Sequence, residues 1–258
     1  MRRKGFTLIE LLVVISIISL LASIALVSLS AAREKSRVAA GLQFEANMYH
    51  VAGDQALAMW DFNEGTGLTT RDLSGNNNTG TLTNIASPYG WSTDTPDGTG
   101  YSIRFDGVND YVRVPDSNFL DLGSKYSISF WFKSEAWDKT YNVAINKSQD
   151  VAYDVSYGIT FTGSFTPTVG VWHHVARVFD GTVSKTYLDG KIFSSGTGGT
   201  APITSTQPLI IGMKKTVSGG SADEWGYTGY IDNVRIFGKD LTASGVHDLY
   251  AMESSLMK

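Results

Sequence analysis

Between Leu11 and Leu29 lie 19 residues without a charge. At the α-helical rise this run covers about 28 Å, close to the ~30 Å of a bilayer core. Such a run has the length of a membrane span, and it restricts everything upstream and downstream. Arg2, Arg3 and Lys4 precede it and Gly5 ends the basic leader. By the positive-inside rule the leader stays cytoplasmic and the rest of the chain lies outside. Arg33, Lys35 and Arg37 beyond the run are a weaker opposing signal. Glu10 stands at the head of the run, four residues past Phe6. A carboxylate at membrane depth costs several kcal/mol unless a cation accompanies it, so its place there calls for a partner.

A secretory signal has a shorter apolar core and a small-residue cleavage site. Here the run is long and Ser30-Ala31-Ala32 is a poor site of that kind. Residues 31–58 have no proline and are rich in Ala, Glu, Gln, Arg and Met, which favour helix. Phe44, Met48 and Val51 share one helical face. One helix over residues 6–57 would be roughly 75–80 Å long. Gly41 and Gly53 weaken it by about 1 kcal/mol each.

The junction Lys4-Gly5-Phe6-Thr7-Leu8-Ile9-Glu10 resembles the class III leader of type IV pilins and pseudopilins. The resemblance covers about the first 35 residues. It implies that a prepilin peptidase cuts after Gly5 and methylates the new amino terminus at Phe6. It also implies that Glu10 pairs with the Phe6 amine of a neighbouring subunit, so that Phe6 and Glu10 set assembly. The implied protein is a single-pass inner-membrane protein that then enters an extracellular filament as a homo- or hetero-polymer with other pilins. Many major pilins carry a proline midway along this helix, and the stretch from Leu20 to Leu29 has none.

The pattern changes near Met59. Gly, Asn, Asp and Thr become common, and short β-type runs alternate with turn pairs. Runs at 102–105, 111–114, 127–133, 174–179, 185–188, 209–212 and 230–237 are predicted strands, several joined at Asp-Gly steps where glycine takes positive φ cheaply. Residues 242–252 are a late helix candidate, and the Gly/Thr-rich stretch 194–200 reads as a mobile loop. This pattern specifies an antiparallel sandwich or jelly roll. The fold class expected for the whole chain is α+β: leader 1–5, helix 6–57, β-sandwich 58–258. With no cysteine, neither disulfides nor thiolate metal sites are available. The net charge is −4, with the helical part positive and the β-part acidic, and the absence of a basic cluster excludes nucleic-acid binding.

Trp60-Asp61-Phe62-Asn63-Glu64-Gly65, Asp72-Leu73-Ser74-Gly75-Asn76-Asn77-Asn78, Phe105-Asp106-Gly107 through Val112, Ile128-Ser129-Phe130-Trp131-Phe132, Trp172-His173-His174, Tyr187-Leu188-Asp189-Gly190 and Gly229-Tyr230-Ile231-Asp232 occur in that order. Together they resemble the bacterial laminin-G-like, concanavalin A-like jelly roll. The resemblance implies a structural Ca²⁺ held partly by an Asp of the closing strand, here Asp232. Asp72, Ser74, Asn76 and Asn78 also place oxygen side chains at every second position of a Gly-containing loop, as a hard cation needs. The alternative is an Asx loop bonding only backbone. The candidate metal residues are therefore Asp72, Asn76, Asn78 and Asp232.

Glycanases of this fold carry acidic residues two or three apart on one strand, which two-carboxylate hydrolysis requires. No such run occurs here, and alternation sends His173 and His174 to opposite faces, so no catalytic set is assigned. Sugar rings stack on exposed aromatics, and Trp91, Trp137, Tyr141, Trp225 and Tyr227 lie in loops. Trp60, Trp131 and Trp172 lie in strand motifs and are expected in the core. The expected function is a pilin-like or pseudopilin-like filament subunit that displays a lectin-like domain for adhesion to a glycan or cell-surface ligand. The alternatives are a membrane-tethered glycan-acting enzyme and a purely structural subunit.

Overall fold

A computed structural model describes residues 8–19, 56–86, 89–137, 141–148, 155–162, 165–197, 205–213 and 225–254. The chain divides into two compact units, residues 1–50 and 51–258. In the first, the described residues 8–19 form helix α1, whose apolar side chains from Leu8 to Ile18 are exposed. No helix among the described residues is long and apolar enough to cross a membrane. Most of the helix expected over 6–57 lies outside the described residues, as do Gly5 and Phe6.

The second unit is a sandwich of two antiparallel sheets. The larger contains, in spatial order, β12 (Lys191–Thr197), β11 (Val183–Leu188), β10 (His173–Phe179), β7 (Tyr126–Ser134), β14 (Thr228–Phe237), β5 (Ser102–Asp106) and β4 (Gly90–Ser92). β14 is long enough to take two partners along one edge: residues 228–231 pair with β5, and residues 234–237 pair with β1 (Ala56–Trp60). The smaller sheet runs β2 (Thr69–Thr70), β3 (Gly80–Thr83), β6 (Tyr111–Val114), β13 (Leu209–Ile211), β8 (Asn142–Ser148) and β9 (Val155–Phe161). The predicted strands are present to within a residue or two. The stretch 194–200, expected to be a mobile loop, instead contributes 194–197 to edge strand β12, because β11 supplies a full antiparallel ladder for it.

Strand alternation builds the core. Tyr126, Ile128, Phe130 and Phe132 of β7 face inward, joined by Val175, Phe105, Ile231, Phe161 and Tyr227. The intervening Ser127, Ser129, Trp131 and Lys133 face outward. On β14 the alternation is broken on purpose. Asp232 lies opposite Trp131 and Arg235 opposite Ser129, so β14 advances three residues while β7 advances two. Asn233 absorbs the extra residue at φ 51°. In a regular strand residues 232 and 235 would point to opposite faces; the bulge sends both outward.

Helix α2 (Ala243–Ser254) covers part of that outward face. Thr242 caps it, its hydroxyl accepting the Gly245 N–H at 3.0 Å. Ser127 pins the approach by donating to the Lys239 carbonyl and accepting from the Leu241 N–H. Val246, Leu249 and Glu253, three or four residues apart, form the buried stripe. Tyr250 stacks on Trp131 at 5.7 Å, and His174 lies beneath both rings. Burial, followed by the nearby Arg235 charge, lowers His174 to about 3, so its imidazole is neutral at neutral pH. Glu253 meets Arg235 in a buried ion pair and accepts from the Trp131 indole. Burial raises Glu253, while Arg235 and Trp131 oppose the shift.

Removing one member of a buried ion pair strands the other charge, at a cost of about 3–5 kcal/mol. Glu253→Ala should lose stability in that range in urea unfolding, and a loss below ~1 kcal/mol would show that the pair does not hold α2 down.

Candidate functional site

Three groups of residues were expected to carry function in the β-domain: the Asp72 loop, Asp232, and the loop aromatics. The structure brings Asp72, Asn76 and Asn78 together, but around strand β1. Asp72 Oδ1 accepts the N–H groups of Met59 and Ser74 at 3.0 and 2.9 Å. Its Oδ2 accepts the backbone and side-chain N–H of Asn78 at 2.9 and 2.8 Å. The Leu57 carbonyl receives Ser74 Oγ and the amides of Asn76 and Asn78. Each carboxylate oxygen has about two lone-pair sites, so four N–H donors occupy the acceptor capacity of Asp72. This donor set does not fit a cation; the loop is an Asx clasp that fastens β1 against the turn.

Asp232 belongs to a different neighbourhood. It is 3% exposed and accepts the Asn233 N–H at 2.7 Å. Burial raises it well above the usual carboxylate range, and the carboxylates of Asp97 and Asp61 add to the rise. Among the described residues no group of three or more His, Cys, Asp or Glu is placed to hold a metal ion.

The histidines separate as alternation requires. His173 faces inward beside Phe132 and pairs with Asp189 at 2.9 Å, while His174 faces outward under α2. They form no joint base or ligand pair.

The five loop aromatics divide into two kinds. Tyr227 is a correction: it is fully buried against Phe161 and Trp137, and burial pushes its phenol well up. Its neighbours in sequence hide it, because the Gly226 backbone abuts Gly107 and the Tyr227 N–H bonds the Gly212 carbonyl. Trp137 and Trp91 are also packed against the core. Trp137 donates to the Pro167 carbonyl and stands edge-on to Phe161 at 5.3 Å; Trp91 donates to the Gly67 carbonyl. Tyr227 is closed off inside the core, whereas Trp91 and Trp137 are partly buried at its rim.

Tyr141 and Trp225 are different. Tyr141 immediately precedes β8, and Trp225 immediately precedes the Gly226–Met213 bridge. Their rings stack at 4.3 Å and 9°, and Tyr141 is 38% exposed. A stacked pair holds each ring in one orientation, here at the ends of β8 and of the bridge that follows β13. Glu10, the expected assembly residue, lies within exposed helix α1.

The β5–β6 turn holds a further titratable pair that was not anticipated. Asp106 Oδ1 accepts the N–H groups of Val108, Asn109 and Asp110. Asp110, 2% exposed, accepts the Asp106 N–H at 3.1 Å. Burial first, then the Asp106 charge, raises Asp110 from 3.8 to about 6.

Residues 106–247 match the family model of the concanavalin A-like lectin/glucanases superfamily, and residues 1–26 match the prokaryotic N-terminal methylation motif. The sequence matches no curated protein. Among solved structures, the fold resembles domain 4 of AbnA, a GH43 extracellular arabinanase from Geobacillus stearothermophilus in complex with arabinotriose. That match has a TM-score of 0.58 at 22% identity and covers 76% of this chain and 98% of that one. The binding domain of Paraclostridial Mosquitocidal Protein 1 gives 0.55 at 16%, covering 76% of this chain and 52% of that one. Trypanosoma rangeli sialidase, in complex with the inhibitor DANA, gives 0.52 at 14%, covering 75% and 32%. This chain thus spans about half of the second structure and a third of the third. At these identities the likeness is one of fold.

Asp72→Ala leaves the Met59 and Asn78 donors without their acceptor, at about 1–3 kcal/mol for each buried group. A loss of about 3 kcal/mol is expected, equal in EGTA and in calcium; a loss confined to the calcium buffer would restore the loop as a cation site. For Asp110, folding raises the pKa. Between about pH 4 and 6 the folded chain keeps a proton that the unfolded chain has released, so stability falls as pH rises through that window and stays lowered above it. Asp110→Asn keeps the acceptor and removes the penalty. Its melting temperature should exceed that of the wild type at pH 8, with the gap closing by pH 4.

Proposed function

Since this chain belongs to the concanavalin A-like lectin/glucanases superfamily and carries a prokaryotic N-terminal methylation motif at its head, we propose that it is a type IV pilin-like filament subunit that displays a glycan-recognising domain. The observation that carries this reading is the union of the two within one chain. A prepilin leader directs the chain to a prepilin peptidase, into the membrane, and then into a polymer outside it. The β-domain is then the part that a filament exposes.

On this reading Phe6 becomes the amino terminus after cleavage behind Gly5, and its ammonium meets the Glu10 carboxylate of a neighbouring subunit. The apolar side chains exposed along α1 gain by packing against other such helices, first in lipid and then in the filament core. The Tyr141–Trp225 pair supplies the ring faces against which the C–H side of a sugar stacks. The likeness to an arabinanase domain solved with arabinotriose favours a carbohydrate as the ligand class. A binding role, with no turnover, agrees with histidines sent to opposite faces and an Asp72 whose oxygens already accept backbone hydrogens.

In cells that contain an active prepilin peptidase, mass spectrometry of the extracted protein should show an N-methylated Phe6 terminus, and Gly5→Leu should block it. Surface filaments should contain the chain and disappear in Glu10→Ala. An intact Met1 alongside processed pilins would end the filament reading.

A further inference from the structure

Lys147 of β8 is a charged side chain turned toward the core. It stands two residues after Ile145 and opposite Leu209 of β13, and both of those are core residues. Alternation and cross-strand pairing therefore send all three to the inner face of the smaller sheet. The Lys147 side chain is 0% exposed. Its amine meets two carboxylates of the connection between β6 and β7. Nζ lies 2.7 Å from Asp116 Oδ1 and 2.7 Å from Asp121 Oδ1. The Leu120 carbonyl accepts from the same amine at 3.3 Å and helps to aim it.

The two carboxylates differ in setting. Asp121 is 20% exposed, and the Ser205 N–H donates to its Oδ1 at 3.3 Å, which fixes the group in place. Asp116 is 35% exposed and more open to solvent. A buried amine thus has a fixed carboxyl group on one side and a more hydrated carboxylate on the other. A nucleophile, a carbonyl carbon and a proton carrier share one site.

We infer that Lys147 and Asp121 form a covalent cross-linking site, at which amine and carboxyl condense to an isopeptide bond while Asp116 carries a proton. A proton first passes from the Lys147 ammonium to Asp121 Oδ1, leaving a neutral amine and a neutral carboxylic acid. The Nζ lone pair attacks Asp121 Cγ, and the new N–C bond pushes negative charge onto Oδ2. Asp116 takes a second proton from the nitrogen and hands it to Oδ1. The Cγ–Oδ1 bond breaks, its electron pair leaves with the oxygen as water, and Oδ2 becomes the amide carbonyl. The nitrogen keeps its third hydrogen as the amide N–H. Ammonium and carboxylate thus give amide and water, and neither oxidant nor co-reactant is needed.

The setting favours this step. Groups held in contact by a fold react with effective molarities of about 10⁵–10⁸ M. Burial penalises two charges more than one neutral amide, so the product relieves a desolvation cost that the ion pair bears. The partly exposed carboxylates leave the released water a way out. The bond would close the chain from residue 121 to residue 147, with β7 of the larger sheet inside the ring and β8 of the smaller sheet at its end. It would tie the two sheets together in a chain that has no cysteine.

Tryptic digestion of the denatured full-length chain, followed by tandem mass spectrometry, tests the bond. Trypsin does not cut at an acylated lysine, so residues 114–125 should appear joined to residues 140–177, lighter than their sum by one water and branched between Asp121 and Lys147. Asp121→Ala should abolish the branch and restore cleavage after Lys147. Asp116→Ala should do the same in a chain that still melts cooperatively, and Asp116→Glu should restore the branch; Asp116, the more exposed, serves where Asp121→Ala does not fold. Complete cleavage after Lys147 in the wild type overturns the cross-link. So does a loss of water confined to cyclic imides at Asp-Gly steps such as Asp106-Gly107 and Asp180-Gly181. A branch at Asp116 overturns Asp121 as the acceptor, and an undiminished branch in Asp116→Ala overturns Asp116 as the proton carrier.

Discussion

The buried pair between Arg235 and Glu253 is the contact on which the layout of the β-domain turns. It exists because β14 takes in one extra residue at Asn233. Without that bulge Arg235 would face the apolar core, where no carboxylate is available. With it, Arg235 joins Trp131 and His174 on the outer face, and α2 can close over all three with a single carboxylate. The pair is costly to desolvate and is not an efficient source of stability. What it does is fix where α2 sits, and therefore which half of the sheet is covered and which half meets solvent. His174 agrees with that arrangement: neutral and fully buried, it adds no competing charge beneath the helix.

The Asp72 clasp does the same at the other end of β1. A strand of five residues at the head of a sandwich would fray. Here Met59 and Leu57 are bound to a loop that follows β2, and the Trp60 indole donates to the Asn78 carbonyl in the same loop. In a chain without cysteines, hydrogen bonds do the fastening that a disulfide could otherwise provide. A loop with alternate oxygen side chains can therefore serve backbone as well as cation, and sequence spacing does not separate the two. What separates them is whether the carboxylate lone pairs are already taken.

Much of the fold was legible in the sequence because its strands are short, strongly alternating and separated by Asp-Gly steps; 102–105, 111–114 and 174–179 are examples. The late helix was legible as a candidate over 242–252, close to the observed Ala243–Ser254. Strands with weaker patterns were not. β12 has seven exposed residues, a serine pair followed by a glycine and no buried side to read, and only its ladder with β11 makes it a strand. The sites were less legible for a related reason. Tyr227 and Trp137 look like loop aromatics, yet glycines at 226 and 107 let the backbones meet and draw Tyr227 inward. Trp172 looks like a core residue from its strand motif, yet it precedes β10 and lies on the outer face against Tyr230 and Asp94. Which face a ring takes depends on bulges and close backbone approaches, and composition does not encode those directly.

Under the proposed function an aromatic pair such as Tyr141 and Trp225 favours modest affinity, since it offers no ionic anchor for the ligand. A filament changes what modest affinity means. Under the proposed function every subunit brings the same domain to the surface, and a polymeric glycan meets many copies held at fixed spacing. Effective concentration then replaces tight contact, and linked weak sites can exceed a single one by about 10²–10⁴. Under the proposed function the helix and the jelly roll are suited to each other: polymerisation would supply the strength of attachment that a weak sugar site lacks.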